Sequence, residues 1–124
     1  MGSGALAMAC AISISASPDD IWMIQNAIFA EFAALTVQQY ANDEDVVSEI
    51  QLADTMNGVS LDILYRNQPA IAMRLRLAFQ MIAEEIAEGR VEPSLGRLQS
   101  REVRDSFAKL VQLLRRFHPE ARAK

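Results

Sequence analysis

Very few side chains in this sequence are equipped for chemistry. His118 is the only histidine and Cys10 the only cysteine, at opposite ends of 124 residues. A thiol–imidazole pair would need those two to meet, and nothing in their surroundings brings them together. His118 stands beside Pro119 at a helix end, where a partly charged imidazole faces exposed carbonyls favourably. One histidine excludes both the paired Glu-x-x-His motifs of di-iron bundles and a His-rich zinc site. One cysteine excludes an internal disulfide and a multi-cysteine zinc site. No glycine-rich phosphate loop or G-x-S-x-G turn is present. Glu84, Glu85 and Glu88 cluster on one helix. Acid–base or metal chemistry would need converging partners that the sequence does not name. The cluster reads as a solvated face meeting Arg74, Arg101 or Arg104. Asp43-Glu44-Asp45 is not followed by EF-hand spacing and reads as a helix start. The expectation is a protein that is not an enzyme, with no catalytic residue, no metal site and no cofactor.

The charges are divided along the chain. Residues 1–65 contain no Lys or Arg and carry −9, whereas residues 66–124 hold all 12 basic residues and carry +5. Two readings follow. The halves attract each other, within one fold or between two copies. Alternatively, an acidic face formed by Asp43, Glu44, Asp45, Glu49 and Asp54 covers another protein's basic surface. The second leads to the expected function, a small interaction module such as an adaptor, an immunity or antitoxin-like inhibitor, or a regulatory subunit.

These residues must be carried by helices. Ser17-Pro18-Asp19-Asp20 has the N-cap, N1 proline and acidic first turn of a helix start. The apolar run behind it predicts one helix from Ser17 to Ala41, the spine of a bundle. Glu31, Gln25, Asn26, Gln38 and Gln39 interrupt the run, and no Lys or Arg flanks it, so it is not expected to span a membrane. A cytoplasmic location and no membrane partner are expected. Trp22, Phe29 and Tyr40 form a stripe that is either core or the lining of an apolar ligand pocket, the alternative function. Glu31, the one charge in the run, is either solvent-facing or paired with Arg74 or Arg76.

Further helices are expected from Asp43 to Met56, where Asn57-Gly58 stops the run, and after Ser60. The segment from Leu52 to Arg66 resembles the helix–turn–helix of bacterial repressors. Gly58-Val59-Ser60 followed by Leu64-Tyr65-Arg66 is similar to TetR-type regulators. Leu52-Ala53-Asp54 followed by Val59-Ser60-Leu61-Asp62 is similar to Cro/C1-type ones. The resemblance implies a transcriptional regulator, a second alternative. It departs by one extra residue between Ala53 and Gly58. With six acids and one base between Asp43 and Arg66, the segment would also repel phosphate, so nucleic acid is not an expected partner.

Pro69 and Gly89 bound the next predicted helix. Alternation of Val59, Leu61, Ile63 and Tyr65, and of Ile71 to Phe79, offers a rival β-hairpin over 59–79. Ser100 begins the last helix, with Val103, Phe107, Leu110, Leu114 and Phe117 as a seam for the bundle or for a homodimer. Residues 1–16 are expected to be an arm or an expression-derived tail, with Cys10–Ser15 a short strand or an arm on another subunit. Residues 119–124 are expected to fray. The predicted fold is all-α: one domain over 1–124, a helical bundle of about four main helices plus one or two short ones.

Overall fold

In a computed structural model, which describes residues 9–116, strand β1 (Ala9–Ser13) forms the centre of a three-stranded mixed sheet. It pairs antiparallel with β2 (Ile21–Gln25), placing Ile12 opposite Trp22. It pairs parallel with β3 (Gly58–Ser60), placing Ile12 opposite Val59. Five α-helices, α1 (Asn26–Gln39), α2 (Glu44–Met56), α3 (Leu61–Asn67), α4 (Pro69–Ala87) and α5 (Arg101–Arg116), and two 3-10 turns, Pro18–Asp20 and Gly96–Gln99, make up the rest of the regular structure among the described residues.

The all-α expectation is therefore wrong. The structure is about 70% helical but is an α/β mix, because the expected Ser17–Ala41 helix is three elements. Ser17 does cap, accepting from the Asp19 N–H at 3.2 Å, but it closes only a 3-10 turn over Pro18–Asp20. The Ile14 N–H then donates to the Asp20 carbonyl at 2.8 Å, and the Ser15 hydroxyl to the Asp20 carboxylate at 2.6 Å. Those bonds turn the chain back along β1. Ile21-Trp22-Met23-Ile24 is apolar at every position, so periodicity does not choose its conformation; its β-branched and aromatic residues suit a strand once β1 is beside it. Helix α1 starts at Asn26 with no side-chain cap.

Elsewhere the local signals operate as their chemistry requires. Asp43 accepts from the Val46 N–H, Ser60 from Ile63 and Ser100 from Val103, each satisfying a free donor of a first turn. Pro69 opens α4, and Gly89 follows its end at φ 72°. The rival hairpin over 59–79 does not form: strand structure is confined to Gly58–Ser60, and helices α3 and α4 occupy the rest.

Phe32 of α1 lies at the centre of the core. Its ring is 5.2 Å from Phe79 of α4, 5.0 Å from Phe107 of α5, 5.9 Å from Phe29 and 6.4 Å from Trp22 of β2. One side chain thus joins sheet, α1, α4 and α5, in the range where aromatic pairs attract. Along the predicted seam, Phe107, Leu110 and Leu114 are buried and Val103 is half-buried against the same core. Arg76 of α4 donates to the Leu114 carbonyl at 3.1 Å, satisfying an acceptor near the end of α5. The seam's Phe117, and His118, the tail 119–124 and residues 1–8, lie outside the described residues.

Candidate functional site

The acids proposed for partner binding fall into two groups. Asp43 and Asp45 are held by Arg74 of α4, at 2.9 Å and 3.3 Å. The fork from Arg74 to both Asp43 oxygens holds that carboxyl below its ordinary range, with the Val46 N–H adding to the effect. These two aspartates staple the start of α2 to α4. Glu44, Glu49 and Asp54 have no ion pair among the described residues and remain on α2.

Other acids of the first half also meet arginines of the second. Asp20 lies 3.5 Å from Arg116, and Asp62 lies 2.7 Å from Arg66. Glu31 is met by Arg97 at 3.5 Å, not by Arg74 or Arg76. Arg74 is engaged at the start of α2, and Arg76 at the end of α5. The charge division of the sequence is thus closed in part within the chain.

Trp22, Phe29 and Tyr40 do not converge. Phe29 is fully buried against Phe32. Trp22 packs on Phe107 with ring centroids 5.0 Å apart and donates its indole N–H to the Ser106 carbonyl at 2.8 Å. Tyr40 stands at the far end of α1, its hydroxyl 3.2 Å from the Met81 sulfur. Burial, with the charge of Glu85, raises its phenol above the ordinary value. Among the described residues, no group of three or more His, Cys, Asp or Glu side chains is placed to hold a metal ion, and no helix is long and apolar enough to cross a membrane.

Cys10 is buried on β1, and its thiol donates to the Asn26 side-chain oxygen at 2.9 Å. Desolvation pushes its pKa up, and the charge of Asp54 adds to this. Burial and the bond to Asn26 make the thiol part of the packing between β1 and the start of α1.

The segment resembling a repressor motif has a strand where a tight turn would be. Asn57 ends α2 in the left-handed conformation at φ 63°, and Gly58 to Ser60 then pair with β1 before α3 begins. A Cβ on Gly58 would lie 2.2 Å from the Ala11 carbonyl oxygen, so β3 can approach β1 only through glycine. The residues between Ala53 and Gly58, where the sequence has one too many for the motif, are the last turn of α2 and its cap at Asn57.

The junction creates a surface that the sequence did not single out. Leu52 and Met56 of α2 and Ile63 of α3 are each more than half exposed. They border a groove of about 400 Å³ floored by Ala53, Val59 and Leu64, with Glu49 at its rim. Leu52 was the available signal. Val46, Ile50 and Ala53 form the buried stripe of α2, and Leu52 falls outside it as an apolar residue on the solvent face.

The chain matches no protein-family model, no curated protein and no solved structure.

Proposed function

We propose that this is a non-enzymatic protein-interaction module. Its docking surface is the groove between α2 and α3, and its partner presents a basic amphipathic segment. The observation that carries this reading is the convergence of Leu52, Met56 and Ile63, all exposed, on one concave strip. Exposed apolar residues scattered singly are ordinary, but three that border one groove are the usual mark of a contact surface. The charge of the partner follows from the neighbours. Glu49 at the rim, with Glu44 and Asp54 on the same helix, has no cation against it among the described residues. Apolar contact would supply affinity, and the acids would supply partner choice and on-rate.

The acidic surface is thereby moved and narrowed. Asp43 and Asp45 serve the fold through Arg74, and the surface becomes Glu44, Glu49 and Asp54 around an apolar centre. Capture from lysate, with mass measurement of the intact complex, tests the reading against two variants. Ile63→Asp should abolish capture and Asp43→Asn should leave it intact, and raised salt should elute the partner. Equal capture by the Ile63→Asp variant would overturn the proposal.

A further inference from the structure

At the opposite edge of the sheet, β2 has β1 on one side only. The bond from Ile14 N–H to the Asp20 carbonyl sets the phase of the ladder. By the alternation of antiparallel pairing, Trp22 and Ile24 turn their backbone groups toward β1, whereas Ile21 and Met23 turn theirs outward. The Ile21 carbonyl and both Met23 backbone groups therefore point away from the sheet, and none has a partner among the described residues. Such a row of open groups is a template for another strand.

A groove runs along this edge. It has a volume of about 700 Å³ and lies between β2 and one face of α5. Ile21, Met23, Trp22 and Leu113 supply its apolar surface, with Ile21 42% and Met23 61% exposed. Lys109, Arg115 and Arg116 line the α5 side, against Asp19 alone of the opposite sign. Arg115 also meets Glu84, and Arg116 reaches Asp20 at the long distance of 3.5 Å; Lys109 has no ion pair among the described residues.

We propose that β2 and α5 together form a second docking site, which takes an extended acidic segment of a partner protein as a fourth strand. Main-chain bonds to Ile21 and Met23 hold the segment. Its alternate side chains fall toward the apolar surface and toward the cations of α5. Strand addition follows from the open edge, and acidity from Lys109, the one cation of the wall without an ion pair among the described residues. This proposal goes beyond the α2–α3 groove and does not rest on it, since the two surfaces share no residue and favour opposite charges.

Trp22 is the only tryptophan, so its emission reports on this site. The full chain is titrated with an alternating glutamate–valine hexapeptide and with its lysine–valine counterpart, and amide exchange is followed by NMR. The acidic peptide should shift Trp22 emission and slow exchange at the Met23 N–H. It should leave Leu52, Met56 and Ile63 unperturbed, and bind about tenfold or more tightly than the basic one. Met23→Pro removes the edge donor at a position where an edge strand tolerates proline, and should abolish the effect. Lys109→Glu, an exposed change, should remove the preference for the acidic peptide even if the proline variant does not fold. Equal response to both peptides, or unchanged Met23 exchange at millimolar peptide, would overturn the proposal. So would Met23 protection without peptide together with a doubled mass, which would assign the edge to a second copy of this chain.

Discussion

Strand β2 and helix α1 are consecutive, and both are mainly apolar, yet different forces hold them. Helix α1 carries its support within itself: five alanine or leucine residues along fourteen positions, its own ladder of hydrogen bonds, and a buried stripe of Ile28, Phe29, Phe32, Ala33 and Thr36. Thr36 even returns its hydroxyl to the Phe32 carbonyl at 2.8 Å, so its burial leaves no polar atom unpaired. Strand β2 has little comparable local support. Its backbone is satisfied on one side by β1, and it is anchored from below through Trp22. The lesson is that β2 is a product of tertiary pairing, whereas α1 has local as well as tertiary reasons to be a helix. The side of β2 that pairing leaves open is the side offered above as a docking edge.

The largest test removes what the two regions share. Phe32→Ala deletes the ring that touches Phe29, Phe79, Phe107 and Trp22. Denaturant unfolding should show a loss of about 3 to 5 kcal/mol, a large share of what a domain of this size possesses. Both regions should lose hydrogen-exchange protection together. A loss confined to α1 would mean that the sheet does not depend on this core.

A second substitution should separate them. Gly58→Ala places a Cβ against the Ala11 carbonyl oxygen and forces φ of 146° on an L-residue. Backbone strain of this kind costs about 1 to 3 kcal/mol, and here the clash adds to it. The damage falls on the β1–β3 pairing, so amides of β1 and β2 should exchange faster while those of α1 and α4 keep their relative protection. Cys10, buried and alone of its kind, gives a second readout. Its alkylation should be slow in the parent protein and accelerated in the variant. Uniform acceleration across α1 as well would show that strand and helix unfold as one unit.

The contrast between β2 and α1 also explains what was legible in the sequence. Features decided by neighbours three or four residues away were visible: the caps at Asp43, Ser60 and Ser100, Pro69 at the start of α4, and the buried seam of α5. Features decided across the fold were mostly not, although one of the two readings of Cys10–Ser15, a short strand, overlaps β1. Ser17-Pro18-Asp19-Asp20 is a genuine start signal, but it belongs to a 3-10 turn, and the true start of α1 carries no signal at all. Asn26, the first residue of α1, accepts from the Cys10 thiol and lies 3.4 Å from the Asn57 side chain. Neither interaction can be inferred from local spacing. The division of charge was visible as a total, but its pairing was not: Glu31 finds Arg97, sixty-six residues away, while both arginines expected for it have other acceptors. The candidate surfaces were the least legible part. Exposure of Leu52, Met56 and Ile63, or of Ile21 and Met23, depends on which elements fail to cover them.

A smaller effect sharpens the account of how β2 is anchored. Trp22→Phe keeps an aromatic ring against Phe32 and Phe107 but removes the indole donor to the Ser106 carbonyl. The expected loss is about 1 kcal/mol, the usual net worth of one hydrogen bond. It should appear as faster exchange in β2, with α1 scarcely affected. An unchanged β2 would mean that β1 alone sets the strand's position.

The smallest expected effect lies at the other end of α1, where charge does the work that ring packing does at β2. Asp43 caps α2 and receives the Arg74 fork, and its pKa is lowered by that hydrogen bond. A carboxyl whose folded pKa lies below its unfolded value stabilises the fold above the unfolded value, near 3.9, and loses that contribution as pH falls through the folded one. Asp43→Asn keeps the cap, since asparagine serves that role equally well, but removes the charge. The variant should be slightly less stable than the parent at neutral pH and low salt, and the gap should close in acid. Added salt should also narrow the gap, because the pair is exposed. Amides in the first turn of α2 should respond to both treatments, and those of β1 and β2 to neither. A gap that did not narrow at all as the pH falls would show that the substitution had disturbed the cap itself. The α1–α2 corner would then depend on the Asp43 cap and not on its charge.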